Sequence, residues 1–178
     1  MPFVCPSWLS FILYNPVRKR FTDRNRVLDE SCITPESVVL EIGAGNGFFT
    51  EAIAERAKKV IVVELQQGMV RKLRKRVQRF GDAVEIVLAD IASVDLTHDM
   101  ADVCLIYYSF HEISRQDEVA AIIARAVKRG GVLSIYEPSL EVNRKDMEAT
   151  VSFFRSECFS LEETHDTIFT RSARLRKE

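Results

Sequence analysis

From Val38 to Tyr136, short apolar runs alternate with stretches whose apolar residues recur every three or four positions. The runs are Val38–Ile42, Val60–Glu64, Val84–Ala89, Val103–Tyr107 and Val132–Tyr136. Near-continuous runs of this kind suit strands buried on both faces, as in a parallel sheet. Between them, Phe49, Ala52, Ile53 and Ala57 form one helical stripe. Met69, Val70, Leu73, Val77 and Phe80 form a second, and Val119, Ile122, Ile123, Ala126 and Val127 a third. The alternation predicts βαβ units and an α/β sheet covered on both sides. The tail departs from it. A helix is expected over Arg144–Phe154, then strands over Phe159–His165 and Ile168–Arg176. Only Asp166 and Thr167 separate these strands, so they should pair as an antiparallel hairpin. Ahead of the sheet, Asp23–Ser31 reads as a helix capped by Thr22 or Asp23, and Pro35 breaks the chain before the first strand.

A length of 178 residues suits one domain with a short appendage. We divide it into an N-terminal helical arm or cap, residues 1–34, and a domain over 35–178. Pro2, Pro6 and Pro16 segment the arm. Its apolar stretch, Trp8–Tyr14, is too short to span a bilayer. Arg18, Lys19 and Arg20 follow that stretch, whereas a signal peptide puts its charges first. Three roles are open to the arm: a short helix packed on the domain, a lid over a ligand site, or a foot on a membrane surface through Trp8 and Phe11. Lys plus Arg is 25 against 26 for Asp plus Glu, so no overall basicity announces nucleic acid. Cys5, Cys32, Cys104 and Cys158 lie far apart with no C-x-x-C, which points away from a zinc site and a disulfide framework. No metal and a reducing, cytoplasmic setting are the expectations.

The stretch Val38-Val-Leu-Glu-Ile-Gly-Ala-Gly-Asn-Gly-Phe-Phe-Thr carries the most chemistry. Three of the seven glycines, Gly43, Gly45 and Gly47, fall within five residues between a strand and a helix. Glycine permits positive φ and close backbone approach, so this loop can wrap a ligand against the free amides of a helix N-terminus. A dinucleotide loop reads G-x-G-x-x-G, and Phe48 stands where its third glycine would be. Glu41, just before the loop, suits a cationic group better than a diphosphate. Glu64 closes the second strand, 21 residues after Gly43, where an acid can take both ribose hydroxyls. Asp90 closes the third strand; it can accept from an exocyclic adenine amine while Leu65 and Ile91 sandwich the ring. A helix cap is the other role open to Asp90.

These features, with the Lys128-Arg-Gly-Gly-Val-Leu-Ser-Ile-Tyr stretch, resemble in order and spacing the class I S-adenosylmethionine-dependent methyltransferases, from Val38 to the C-terminus. The resemblance implies a Rossmann-like, mostly parallel sheet of seven strands with a C-terminal antiparallel hairpin. It implies S-adenosylmethionine as cofactor. Glu41 and the loop through Gly43, Ala44, Gly45 and Gly47 would hold its methionine end. Glu64 would bind the ribose, Asp90 with Ile91 would hold the adenine, and the backbone near Tyr107 would approach the amine.

Candidates for the transfer cluster after the fourth strand, in Tyr107-Tyr-Ser-Phe-His-Glu-Ile. Open α/β sheets bind ligands beyond the carboxyl ends of their strands, which brings Tyr107, Tyr108, His111 and Glu112 near the methyl group. His111 is the best base, because imidazole titrates near neutrality; holding the loop or packing on substrate is its alternative. Glu137 is a second candidate, and His165 reads as structural.

The loop and the following Ala-Lys-Lys-Val-Ile-Val-Val-Glu are similar to ribosomal RNA adenine dimethyltransferases. Those enzymes carry an Asn/Asp-Pro-Pro-Tyr-type motif after strand four, where this chain reads Tyr107-Tyr-Ser-Phe-His. Their C-terminal helical domain is not expected in 178 residues. A small-molecule acceptor is therefore the leading expectation. The alternatives are an RNA or protein methyltransferase using the basic run Arg71, Lys72, Arg74, Lys75, Arg76 and Arg79, or a silent cofactor-binding module. A nicotinamide oxidoreductase is disfavoured by Phe48 and by the hairpin.

Overall fold

The computed structural model describes residues 22–178. The elements are α1 (Arg24–Glu30), β1 (Val38–Ile42), α2 (Phe48–Arg56), β2 (Lys59–Glu64), α3 (Gln67–Val77), β3 (Val84–Leu88), β4 (Ala101–Tyr107), α4 (Gln116–Ala126), β5 (Val127–Pro138), α5 (Arg144–Ser156), β6 (Phe159–Asp166) and β7 (Thr170–Lys177). They form one seven-stranded sheet in the order β3-β2-β1-β4-β5-β7-β6. The first five strands are parallel, and β7 runs antiparallel to both its neighbours.

Alternation along the strands divides the core in two. Leu40, Ile42, Ile61, Val63, Cys104, Ile106, Leu133 and Ile135 point to one face, where Val119 and Ile123 of α4 and Met147, Val151 and Phe154 of α5 cover them. Val39, Val60, Val62, Val103, Leu105 and Val132 point to the other, under α1, α2 and α3. A strand buried on both faces needs apolar residues at every position, which accounts for the unbroken runs.

Asp23 caps α1 by accepting from the Arg26 amide, and Asn143 with Asp146 forms a capping box on α5. The described part of the arm is integral to the core, because Val27, Leu28 and Ile33 are buried beside Phe48, Phe49 and Val39. Packing is therefore continuous across the boundary drawn at residues 34 and 35. The lid and membrane-foot readings of the arm rest on Trp8, Phe11 and Arg18–Arg20, which lie outside the described residues.

Two elements differ from expectation. β5 begins at Val127, before Gly130 and Gly131, with a register shift against β4 between Ala101 and Val103. Gly130 has a φ of +75°, so the glycine pair bends the strand without ending it. The hairpin loop is longer than two residues: Ile168 and Phe169 lie in the turn and not in β7. Thr167 fixes that turn through its hydroxyl, which accepts from the Phe169 and Thr170 amides.

Candidate active site

The order of strands reverses between β1 and β4, and the crevice at such a point opens beyond the carboxyl ends of the strands. A cavity of about 510 Å³ lies there. Each parallel strand leads into one part of its wall. β1 gives Ile42, Gly43 and Gly45; β2 gives Val63, Glu64, Leu65 and Gln66; β3 gives Ala89, Asp90, Ile91 and Ala92. The segment after β4 gives Tyr108, Ser109 and His111–Arg115, and β5 gives Pro138 and Glu141.

The glycines serve different purposes. Gly43 has a φ of +70°, and a Cβ there would stand 2.5 Å from Cβ of Ser109, whose hydroxyl donates to the Ile42 carbonyl at 3.0 Å. Only glycine lets the two strand ends approach so closely. Gly45, φ +57°, has open space where its Cβ would be, and its amide donates to Glu64 Oε2 at 2.8 Å. Gly47 is outside the cavity wall. It caps α2 with a φ of +84°, and a Cβ would meet Leu73 of α3 at 2.6 Å, so it serves helix packing.

Glu64 is buried, with its other oxygen accepting from the Gln66 amide at 2.8 Å. Burial raises its pKa, opposed by those amides. The Leu65 amide also favours the charged form, and the carboxylate keeps acceptor capacity for a ligand hydroxyl. Leu65 is more than half exposed and stands in the wall with Ile91, an apolar pair open to a planar ring. Asp90 is both a cap, accepting from the Ala92 amide at 2.9 Å, and a wall residue. Backbone amides, an acid and apolar side chains at three adjacent strand ends fit an adenosyl group. Glu41 lies beneath the loop and not in the wall. Its buried carboxyl accepts from Thr50 at 2.6 Å, and burial, with Glu64 adding to it, pushes its pKa up to about 7.

At the other end, Tyr108 takes a φ of +59°, a strained conformation for a tyrosine. Its amide donates to the Tyr136 carbonyl at 2.8 Å, and its hydroxyl reaches the Phe169 carbonyl at 3.3 Å and the Thr170 hydroxyl. Tyr107 and Ala44 stay out of the wall; the Tyr107 ring is packed among Phe49, Tyr108 and Tyr136. His111 does line the cavity. Its Nδ1 is 2.5 Å from Glu137 Oε2, its amide donates to Glu137 Oε1 at 3.2 Å, and its Nε2 is 3.3 Å from Glu141 Oε2. Burial lowers the imidazole pKa, but the hydrogen bond and charge of Glu137, with Glu141 and Glu112, outweigh it and raise the value overall. Glu137 is 1% exposed and Glu141 65%. Sequence reasoning reached His111 and Glu137 separately. It missed Glu141, whose position depends on the turn closed by its amide on the Pro138 carbonyl at 3.0 Å.

Residues 40–135, more than half the chain, match the family described as "Methyltransferase domain". The chain belongs to the class I S-adenosylmethionine-dependent methyltransferases. The chain is 41% identical over 81 residues to a dimethyladenosine transferase of Yarrowia lipolytica, 44% of this chain and 25% of that one. It is 37% identical over 102 residues to a mitochondrial ribosomal RNA small subunit methyltransferase of Arabidopsis thaliana, 54% and 24% of the two chains. The matched stretch thus spans about a quarter of these relatives. A SAM dependent methyltransferase from Aquifex aeolicus has the same fold, with a TM-score of 0.84 over 97% of this chain and 98% of that one at 19% identity. The N-methyltransferase NodS from Bradyrhizobium japonicum, solved with S-adenosyl-l-homocysteine, superposes with a TM-score of 0.71 over 90% and 86% at 17% identity. Among the described residues no helix is long and apolar enough to cross a membrane, and no group of His, Cys, Asp and Glu could hold a metal ion.

Proposed function

We propose that the methyltransferase acts on a small-molecule acceptor held at the His111 end of this cavity. The observation that carries the reading is the two-ended wall: Glu64, Leu65, Asp90 and Ile91 at one end, Tyr108, His111, Glu112 and Glu141 at the other. Glu64 takes the ribose hydroxyls, Asp90 with Ile91 the adenine, and the turn through Gly43 and Gly45 borders the methionine end, with Glu41 supporting the loop through Thr50. When bound, the cofactor supplies a methyl group on a sulfonium. The chain supplies alignment, worth several orders of magnitude in an in-line transfer, and a wall that excludes water. His111, fixed by Glu137 through its Nδ1, holds or takes the acceptor proton at Nε2.

A ribosomal RNA acceptor is the second reading, favoured by the named activities of the relatives. Against it, Arg76 of the basic run bonds to Asn46 and Arg79 to Glu55, so part of that run is tied to the domain. The acceptor end also carries carboxylates, which repel phosphate.

Two measurements test the proposal. Calorimetry should give one-to-one binding of S-adenosylhomocysteine and none of NAD. Incubation of the chain with methyl-labelled S-adenosylmethionine and cell extract should put the label in the small-molecule fraction. Label confined to RNA would replace the first reading by the second.

A further inference from the structure

We propose that the acceptor is an amphiphilic amine, with its ammonium head at the His111 end of the cavity and its apolar tail over a lip formed by Leu140, Ile168 and Phe169. The inference rests on the methyltransferase reading of the same cavity.

The first observation is charge. Glu112 and Glu141 stand in the wall, and Glu137 lies buried behind His111. Arg115, the guanidinium of this wall, is paired with Glu118 at 3.1 Å. Among the described residues, Glu137 and Glu141 thus bracket one imidazole, and the three together stay negative even with His111 protonated. In a partly desolvated cavity such a field attracts an ammonium and repels a carboxylate or phosphate.

The second observation is independent of charge. Leu140, Ile168 and Phe169 are 90%, 83% and 72% exposed. One exposed apolar side chain is ordinary, but three on adjoining turns beside a cavity mouth form a surface for apolar contact. The turns are tied to that mouth. The Ser139 amide donates to the Phe169 carbonyl at 3.1 Å, and the Tyr108 hydroxyl to the same carbonyl at 3.3 Å. Leu140 sits between Pro138 and Glu141, both wall residues. An acceptor crossing the lip thus meets apolar surface next to the carboxylate of Glu141, with His111 and the buried Glu137 behind it.

The chemistry balances on the chain's own groups. The ammonium proton passes to His111 Nε2 and through the exposed Glu141 to water. The freed nitrogen pair bonds to the methyl carbon as that carbon's bond to sulfur breaks, with its electron pair left on sulfur and the positive charge moved to nitrogen.

The test is calorimetry on the full chain saturated with S-adenosylhomocysteine. Failure of that first saturation would fall on the methyltransferase reading and not on this one. Dodecylamine, butylamine and dodecanoate are then titrated below their aggregation limits. Dodecylamine should bind at least tenfold tighter than butylamine, dodecanoate should not bind, and Glu141→Gln should weaken both amines. Ile168→Ser with Phe169→Ser, exposed positions that leave the core intact, should erase the chain-length advantage. Dodecanoate binding as tightly as dodecylamine, or equal affinity for the two amines, would overturn the proposal. Flotation with phosphatidylethanolamine vesicles, against phosphatidylcholine, separates the sources of such a head group. Co-flotation with the first alone puts the amine in a bilayer, and dodecylamine binding without flotation puts it free in solution.

Discussion

Glu41 shows how a single buried acid shapes both the loop and its pH dependence. Its carboxyl sits 3% exposed under the glycine loop with Thr50 as donor, and its pKa is pushed up from 4.5 to about 7. A carboxyl whose folded pKa is raised binds its proton more tightly when folded. Stability is therefore unaffected below about pH 4.5, falls as pH rises from there to about 7, and stays lowered above it. Glu41→Gln removes this loss. Its stability relative to the parent, from urea unfolding, should be level near pH 4 and higher by about 3 kcal/mol at pH 8; a difference independent of pH would contradict the assignment. The glycines separate by the same kind of reasoning. Gly43→Ala meets both a strained φ and Ser109 at 2.5 Å, whereas Gly45→Ala meets strain alone. Gly43→Ala should cost about 1–3 kcal/mol more in stability than Gly45→Ala, measured by the same unfolding. Three alternate glycines were legible as a loop that approaches a ligand. That the third meets Leu73 was not, because the packing of α2 on α3 leaves no mark in the local sequence.

Elements explain which parts of the site could be read in advance. The parallel strands were legible because burial on both faces demands apolar residues at each position. The acids and glycines that end those strands fall at the rim for the same reason, so Glu64, Asp90 and His111 could be assigned to one crevice. The contact of His111 with Glu137 crosses from the segment after β4 to the end of β5, a pairing that only the β4–β5 register fixes. Ile168 and Phe169 misled the pattern, since apolar residues in a turn mimic the start of a strand. The coupled loop ends give a titration to measure. The His111 imidazole, followed by nuclear magnetic resonance, should titrate above the usual histidine value, and Glu137→Gln should lower its midpoint. Stability from this imidazole is full below the unfolded pKa and is lost as pH rises through the folded one. An unmoved midpoint in the variant would remove Glu137 as the positioning group. Helix α3 gives a second test. Arg71, Arg74 and Lys75 are exposed, and replacing all three by Gln should leave transfer to a small acceptor unchanged. Loss of transfer would favour the RNA reading.

At the scale of the molecule, one sheet serves as both scaffold and rim. α1, α2 and α3 on one face and α4 and α5 on the other bury the strands and leave their carboxyl ends to form the cavity. A ligand there touches segments following five strands, so its binding should stabilise the whole fold. At a hundred times its dissociation constant, S-adenosylhomocysteine should add about 2.7 kcal/mol. That corresponds to a rise of roughly 5–10 °C in melting temperature for a domain of this size. Absence of a shift would mean that the cavity does not bind it. The most direct test of the central claim is a crystal structure of the chain grown with S-adenosylhomocysteine. The account predicts the ribose on Glu64, the adenine between Leu65 and Ile91 beside Asp90, and the sulfur directed toward Tyr108 and His111. The ligand bound elsewhere, or lying with its adenine at the His111 end, would contradict it.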